Sequence, residues 1–317
     1  MARLHWFAGL LLLTECGAQQ DLVIGISALA EGGASNGSAG SAGDAAVAGS
    51  STAGVGGTSD MMNDAGHPSG GDSAGAPGAG GEAGAPMEPE DCALGDLPPA
   101  DSLIHRYSFD EASGNAAVDS VSGTNGIIQG TTLKGTGSLE LGANGQFVDL
   151  PAGFVHDLTE ITVVAWTTWK GVPAWERVFD FGSSLPGRMG GVSYLCMMSK
   201  TGFFNQTKPG LGGEIKVPGF ETVTLASTED MTRRPSQVAF SFKGGERASI
   251  YLNGVRLATQ ATAIKLSDID DVNNWIGRSQ YGSNTDYEGS YDELRIYKVA
   301  LNGCQLSSLL FRGAQSP

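Results

Sequence analysis

The sequence predicts an all-β fold: two antiparallel sheets packed face to face, preceded by a tail without a core. Three observations carry this. Between Ala8 and His105 there is no Phe, Tyr or Trp, so the large side chains that build a core begin at Tyr107. From there Val, Ile, Thr and aromatic residues run in short groups separated by Gly, Asn and Asp, the pattern of strands and turns. Helical spacing is kept over ten or more residues only near the end, at 301–311.

The charge divides at the same point. The chain has 317 residues and a net charge of −15. Residues 17–105 hold no Lys or Arg and twelve acids, whereas residues 106–317 hold 18 basic and 21 acidic residues. The tail is acidic and the domain nearly neutral, which argues against nucleic acid or anionic lipid as a partner.

Residues 1–18 read as an export signal. Arg3 provides a positive start, and 6–13 (WFAGLLLL) is an apolar run too short to span a bilayer. Cleavage after Ala18 is one reading. The other takes Leu13-Thr14-Glu15-Cys16 as a lipobox with Cys16 lipidated, although Glu15 stands where a small residue is usual. Either way the expectation is an exported protein, secreted or at the cell envelope, that meets a membrane only through an anchor at Cys16.

Residues 19–90 follow as a Gly/Ala/Ser-rich acidic linker, with 17 Gly and 13 Ala among 31–90. Such a composition cannot bury enough surface to offset its ordering entropy, so disorder is expected. A Gly-rich coil of ~60 residues spans on the order of 40 Å.

The domain is expected over 91–317. Strands are predicted at 161–166 (ITVVAW), 237–242 (QVAFSF), 248–252 (ASIYL) and 293–297 (ELRIY). Asn253-Gly254 between apolar residues predicts a type I′ hairpin. Strict alternation through 291–297 puts Leu294 and Ile296 on the core face and Tyr291, Glu293, Arg295 and Tyr297 on the other. Trp166 alternates with Val164 and reads as a packing residue. Because both ends of a sandwich can share an edge, a Cys92–Cys304 disulfide is expected in an oxidising compartment. Cys196 reads as a buried free thiol.

Five segments in order resemble one family. They are 105–119 (HRYSFDEASGNAAVD), 138–151 (SLELGANGQFVDLP), 161–182 (ITVVAWTTWKGVPAWERVFDFG), 238–254 and 272–301 (VNNWIGRSQYGSNTDYEGSYDELRIYKVAL). Together they resemble the LamG-like jellyroll domains of exported bacterial proteins, in the concanavalin A-like lectin/glucanase superfamily. The resemblance runs from about 105 to 309 and implies a two-sheet jellyroll. The stretch 197–234, with Phe203-Phe204, is least like the family and reads as an insert or cap.

A sister branch of that fold hydrolyses glucans with carboxylates clustered on one strand, which needs two carboxyls about 5–5.5 Å apart. No such pattern is legible. Asp268, Asp270, Asp271, Asp292-Glu293 and Glu229-Asp230 read as solvated loop acids. The four His residues form no HExxH motif, and no nucleophile elbow is present, so the chain reads as a non-enzyme.

What remains is recognition of a glycan or a cell-surface protein. For a glycan, exposed rings would stack on sugar faces while amides and charged groups take hydroxyls. The candidates are Trp169, Trp175, Arg278, Tyr281, Asn284, Asp286 and Tyr287. The resemblance also implies calcium as a conceivable cofactor, held by oxygen ligands at the sandwich rim. The candidates there are Asp180, Asn284, Asp286 and Asp292. An adhesive sandwich without a small ligand is the alternative, and a glycosidase the minor one.

Overall fold

A computed structural model describes residues 96–171, 174–202 and 210–316. The expected signal, linker, Cys16, Cys92 and Phe203-Phe204 lie outside these residues. The first half of the domain contributes β1 (Leu103–Tyr107), β2 (Ala116–Ala117), β3 (Gly126–Gln129), β4 (Leu139–Gly142) and β5 (Phe147–Leu150). Longer strands follow: β6 (Glu160–Trp169), β7 (Arg177–Ser184) and β8 (Gly191–Met198). Then come β9 (Gly212–Lys216), β10 (Val223–Ala226), β11 (Ser236–Lys243), β12 (Arg247–Leu252) and β13 (Val255–Ala261). The last strands are β14 (Asn273–Ile276) and β15 (Glu288–Tyr297), before helix α1 (Gly303–Arg312).

The strands form two sheets with antiparallel ladders. The first runs β1-β15-β6-β11-β12-β13, with β4 also on β15; the second runs β10-β9-β8-β7-β14-β5-β3-β2. This is the expected sandwich. The stretch 197–234 is part of it, because it supplies β9 and β10 at the edge of the second sheet.

Alternation decides what lies between the sheets. From the first sheet come Ile161, Val163 and Ala165 of β6, Val238, Phe240 and Phe242 of β11, and Leu294 and Ile296 of β15. From the second come Phe179 and Phe181 of β7, Leu195 and Met197 of β8, Val148 and Leu150 of β5, and Ile276 of β14. Phe179 meets Phe240 edge-on, with ring centroids 6.0 Å apart, and so ties the sheets together. Each such side chain contributes about 1.5–3 kcal/mol by leaving water.

Three local predictions meet the coordinates. Asn253 and Gly254 both take positive φ (51° and 80°) between β12 and β13, as a type I′ turn needs. The terminal helix forms: Asn302 caps it, accepting from the Gln305 amide, and Gln305 completes the box. The alternation through 291–297 breaks, however. A bulge between Tyr291 and Glu293 inserts one residue opposite β6, so Tyr291 turns into the core beside Leu294 and Ile296. Glu293 is no solvated acid either. It is fully buried on the outer face of the first sheet, held by Arg106 at 2.8 Å and by Arg295. Asp271 is also buried and accepts from the Val155 amide at 2.8 Å.

That outer face of the first sheet is sealed by the chain itself. Val164 and Trp166 of β6, Ala239 of β11 and Tyr297 of β15 pack with Leu301, Leu306 and Leu309 of the α1 segment. The two ends of the described domain are adjacent, as expected: β1 pairs with β15, and Gln305 donates to the Leu97 carbonyl at 3.4 Å. Cys304 is buried in the first turn of α1, and Cys196 is the free thiol among the described residues.

Candidate functional site

The outer face of the second sheet is built differently. On β14, Asn274 and Ile276 point inward, so Trp275 points out. Register then aligns one row of outward residues across five strands. Glu214 on β9 pairs with Cys196 on β8, Cys196 with Asp180 on β7, Asp180 with Trp275, and Trp275 with Asp149 on β5. A sandwich face carrying three carboxylates and a tryptophan in one row is not a packing surface.

Each of these carboxylates is engaged. Asp149 accepts from the Trp275 indole at 3.0 Å. Glu214 accepts from the Tyr194 hydroxyl. Asp180 is fully buried, pairs with Arg177 at 3.2 Å, and accepts from the Gln280 amide at 3.0 Å. Burial nevertheless dominates and pushes the Asp180 carboxyl up to about 6.

Two loops cover the row. Gly277, with φ 84°, turns the chain out of β14, and 277–287 runs back over the face. Asp180 holds it at Gln280, Asn284 donates to Ser279 at 2.9 Å, and Asp286 accepts from the Gly145 amide at 2.8 Å. The loop 185–190 meets it through a Met189–Tyr281 bridge and the Gly282 amide on the Arg188 carbonyl. Tyr281 leans edge-on over Tyr194, with centroids 5.9 Å apart, and its hydroxyl takes a hydrogen bond from Lys216 at 3.2 Å. Gly191 lies under both rings, where a Cβ would collide with them.

At the rim two guanidiniums converge. Arg278 lies over the Phe147 ring at 4.0 Å and the Trp275 ring at 5.4 Å. Arg188 lies over Trp275 at 5.9 Å. Both approach the same Asp286 oxygen, at 3.8 Å and 3.9 Å, beyond hydrogen-bond reach. Burial and the neighbouring Arg188 charge lower the Arg278 pKa.

The candidates named from sequence therefore separate. Arg278, Tyr281, Asn284 and Asp286 come together, with Trp175 packed beside Tyr194, Cys196 and Met198. Trp169 and Tyr287 do not belong with them. Trp169 is 1% exposed, and Tyr287 is wholly in the core with its hydroxyl on Thr167 at 2.8 Å. A ring that no sugar can reach is no stacking platform. Both positions lie beside long strands whose inward faces claim them. Residues that sequence reasoning missed are Arg188, Trp275, Phe147 and Lys216. Outward alternation on β14 was the available signal for Trp275; Arg188 had none.

The four positions named for calcium do not form one ion site. Asp180 already pairs with Arg177, and Asp286 stands between two guanidiniums, so cations occupy the places a metal would take. Asp292 lies on β15 of the other sheet, where burial and Glu140 raise its pKa. Among the described residues, no group of three His, Cys, Asp or Glu is placed to hold a metal.

Two further arrangements fall outside the row. His105, Asp119 and Ser122 meet, but Ser122 and Asp119 both contact the same His105 nitrogen, Nδ1, at 3.0 Å and 2.8 Å. A relay needs one partner on each ring nitrogen, so this cluster organises a loop. Burial pushes the Asp119 carboxyl up, but hydrogen bonds from Ser122, Arg106, His105 and Val121 outweigh it and hold it at about 2. A hollow of about 510 Å³ opens beside β3, lined by Asn115, Ile128, Gln129, Gly130, Thr131 and Thr132, and presents neither ring nor charge.

A family model of the concanavalin A-like lectin/glucanases superfamily matches residues 141–307. No curated protein matches the chain in sequence. Among solved structures, the chain is similar to domain 4 of AbnA, an extracellular GH43 arabinanase from Geobacillus stearothermophilus, in complex with arabinotriose. The identity is 20%, the TM-score 0.51, and the match covers 65% of this chain and 97% of that one. It is also similar to Trypanosoma rangeli sialidase in complex with sialic acid, at 16% identity and a TM-score of 0.52. That match covers 68% of this chain and only 34% of the sialidase. At these identities the likeness concerns the fold.

Proposed function

Because the chain belongs to the concanavalin A-like lectin/glucanase superfamily, we propose that it is a non-catalytic, exported recognition module that binds glycan on the outer face of its second sheet. One observation carries this: a row of outward polar and aromatic side chains that spans five strands and is covered only by two wired loops. Rings, amides and charged groups in one place are what pyranose recognition requires. The solved structure with arabinotriose is domain 4 of an extracellular arabinanase, which agrees with a binding role.

A non-catalytic role is supported by the partner that each carboxylate in the row already holds: the Trp275 indole, the Tyr194 hydroxyl and Arg177. Export and a linker-borne display follow from the tail. A Cys92–Cys304 bridge is proposed as its companion, supported by the meeting of Gln305 with Leu97. The adhesive reading draws on the rim loop 185–190, where Leu185 and Met189 are 47% and 78% exposed.

The test is retention of the full chain on immobilised polysaccharides, first with calcium and then with EDTA. Saturable retention competed by free oligosaccharide is expected, and it should be lost in Tyr281→Ala. Retention on no polysaccharide overturns the glycan reading and leaves the adhesive one.

A further inference from the structure

We propose that Arg188 and Arg278 form a carboxylate-binding subsite, so that the glycan this face takes is acidic, a uronate-bearing polysaccharide; the inference rests on the glycan reading above. Among the described residues, neither guanidinium makes a hydrogen bond. Arg188 Nη1, Arg278 Nε and Asp286 Oδ1 are buried, face one another at 3.8 Å and 3.9 Å and make no hydrogen bond, while the rest of each guanidinium side chain reaches the surface. Unmet donors of this kind are costly unless something completes them.

The charge layering selects the ligand. Carboxylates lie beneath: Asp180 is fully buried, Glu214 and Asp286 nearly so, and Asp149 half-buried. The guanidiniums lie above, their side chains 19% and 26% exposed. Asp286 is shared between the two arginines, and Asp149 beside Trp275 also acts on Arg278, yet neither carboxylate hydrogen-bonds a guanidinium. A guanidinium offers only donors, and its fork matches a carboxylate, which offers only acceptors. Phe147 and Trp275 fix the planes of these groups from below.

The backbone agrees. Gly187 and Arg188 are both left-handed, at φ 68° and 54°. The first is easy for glycine, whereas the second is strained for an arginine. Glycine at 188 would relieve that strain and remove the guanidinium, so strain and side chain point to a shared use.

The experiment compares retention of the full chain on polygalacturonate and on fully methyl-esterified pectin, in EDTA throughout. The two polymers share a backbone and differ in the carboxylate. Retention on polygalacturonate alone is expected, weakened about tenfold or more in Arg278→Gln and in Arg188→Gly. Arg188→Gly is expected to fold at least as well as the parent, which separates lost binding from lost structure. Equal retention on both polymers, or retention that the two variants leave unchanged, overturns the carboxylate subsite while the glycan reading stands. Retention on neither polymer but on a neutral arabinan or galactomannan does the same. Retention on no polysaccharide overturns the glycan reading and the subsite with it.

Discussion

The two outer faces of the sandwich use one device to opposite ends. On the first sheet Arg295 lies over Trp166 at 5.0 Å, and on the second Arg278 lies over Trp275 at 5.4 Å. The chain completes the first stack itself: Arg295 is buried, pairs with Glu293, and donates to the Ala314 and Ser316 carbonyls, beneath the α1 segment. In the second stack Arg278 makes no hydrogen bond, and its side chain stays 26% exposed. A guanidinium satisfied by its own chain is structural, and one left unsatisfied above a rigid ring is available to a ligand. The same residue pair therefore acquires its role from what covers it.

The sharpest way to break that comparison is to remove each arginine. Arg295→Ala leaves Glu293 buried with only Arg106 beside it and is expected to lower stability by about 3–5 kcal/mol in urea unfolding. Arg278→Ala is expected to cost under about 1 kcal/mol, because its guanidinium is part-exposed and bonded to nothing. Equal losses at the two sites would mean that the second stack is structural too.

A smaller effect should come from the buried acid that links the strands of one sheet to the loops of the other. Glu176 is fully buried, accepts from the Trp169 indole at 2.8 Å and from the Glu288 amide at 3.1 Å, and leaves one oxygen without a partner. Burial pushes its carboxyl up to about 7. A raised folded pKa stabilises fully below the unfolded value near 4.5, and that contribution is lost as pH rises through about 7. Glu176→Gln keeps an acceptor and removes the charge. It is expected to add roughly 1–3 kcal/mol at pH 8 and to flatten the stability profile between pH 4.5 and 7. Asp180 titrates in the same sense, and Asp119 in the opposite one, its contribution present above pH 3.8 and lost as pH falls through about 2.

The smallest effect sharpens the other side of the comparison. Asn302 caps the helix that helps seal the first sheet. Asn302→Ala is expected to cost about 1 kcal/mol by thermal unfolding, with glycan retention unchanged. A change in retention would mean that the two faces are coupled.

Much of the fold was legible because short-range rules govern it. Runs of Val, Ile, Thr and aromatic residues marked β6, β11, β12 and β15, and Asn253-Gly254 marked its hairpin. The bulge at 291–293 was not legible, since it is a mismatch between β15 and β6 that neither strand contains alone. The site was half legible. The loop carrying Arg278, Tyr281, Asn284 and Asp286 stood out by residue type. Trp169 and Tyr287 looked the same by type, and only packing shows that no ligand reaches them.

The amino-acid sequence by itself determined the sandwich, the helix at its end and the hairpin turn, because periodicity and turn chemistry act over a few residues, and the resemblance of five segments pointed to the family. The tertiary structure alone decided that Arg188, Phe147, Trp275 and Asp286, drawn from three separate segments, share one rim. It also decided that one outer face is sealed by the end of the chain and the other is covered by two loops. Both depend on long-range pairing of strands, where register and cover, not residue type, determine whether a charge ends up satisfied or free.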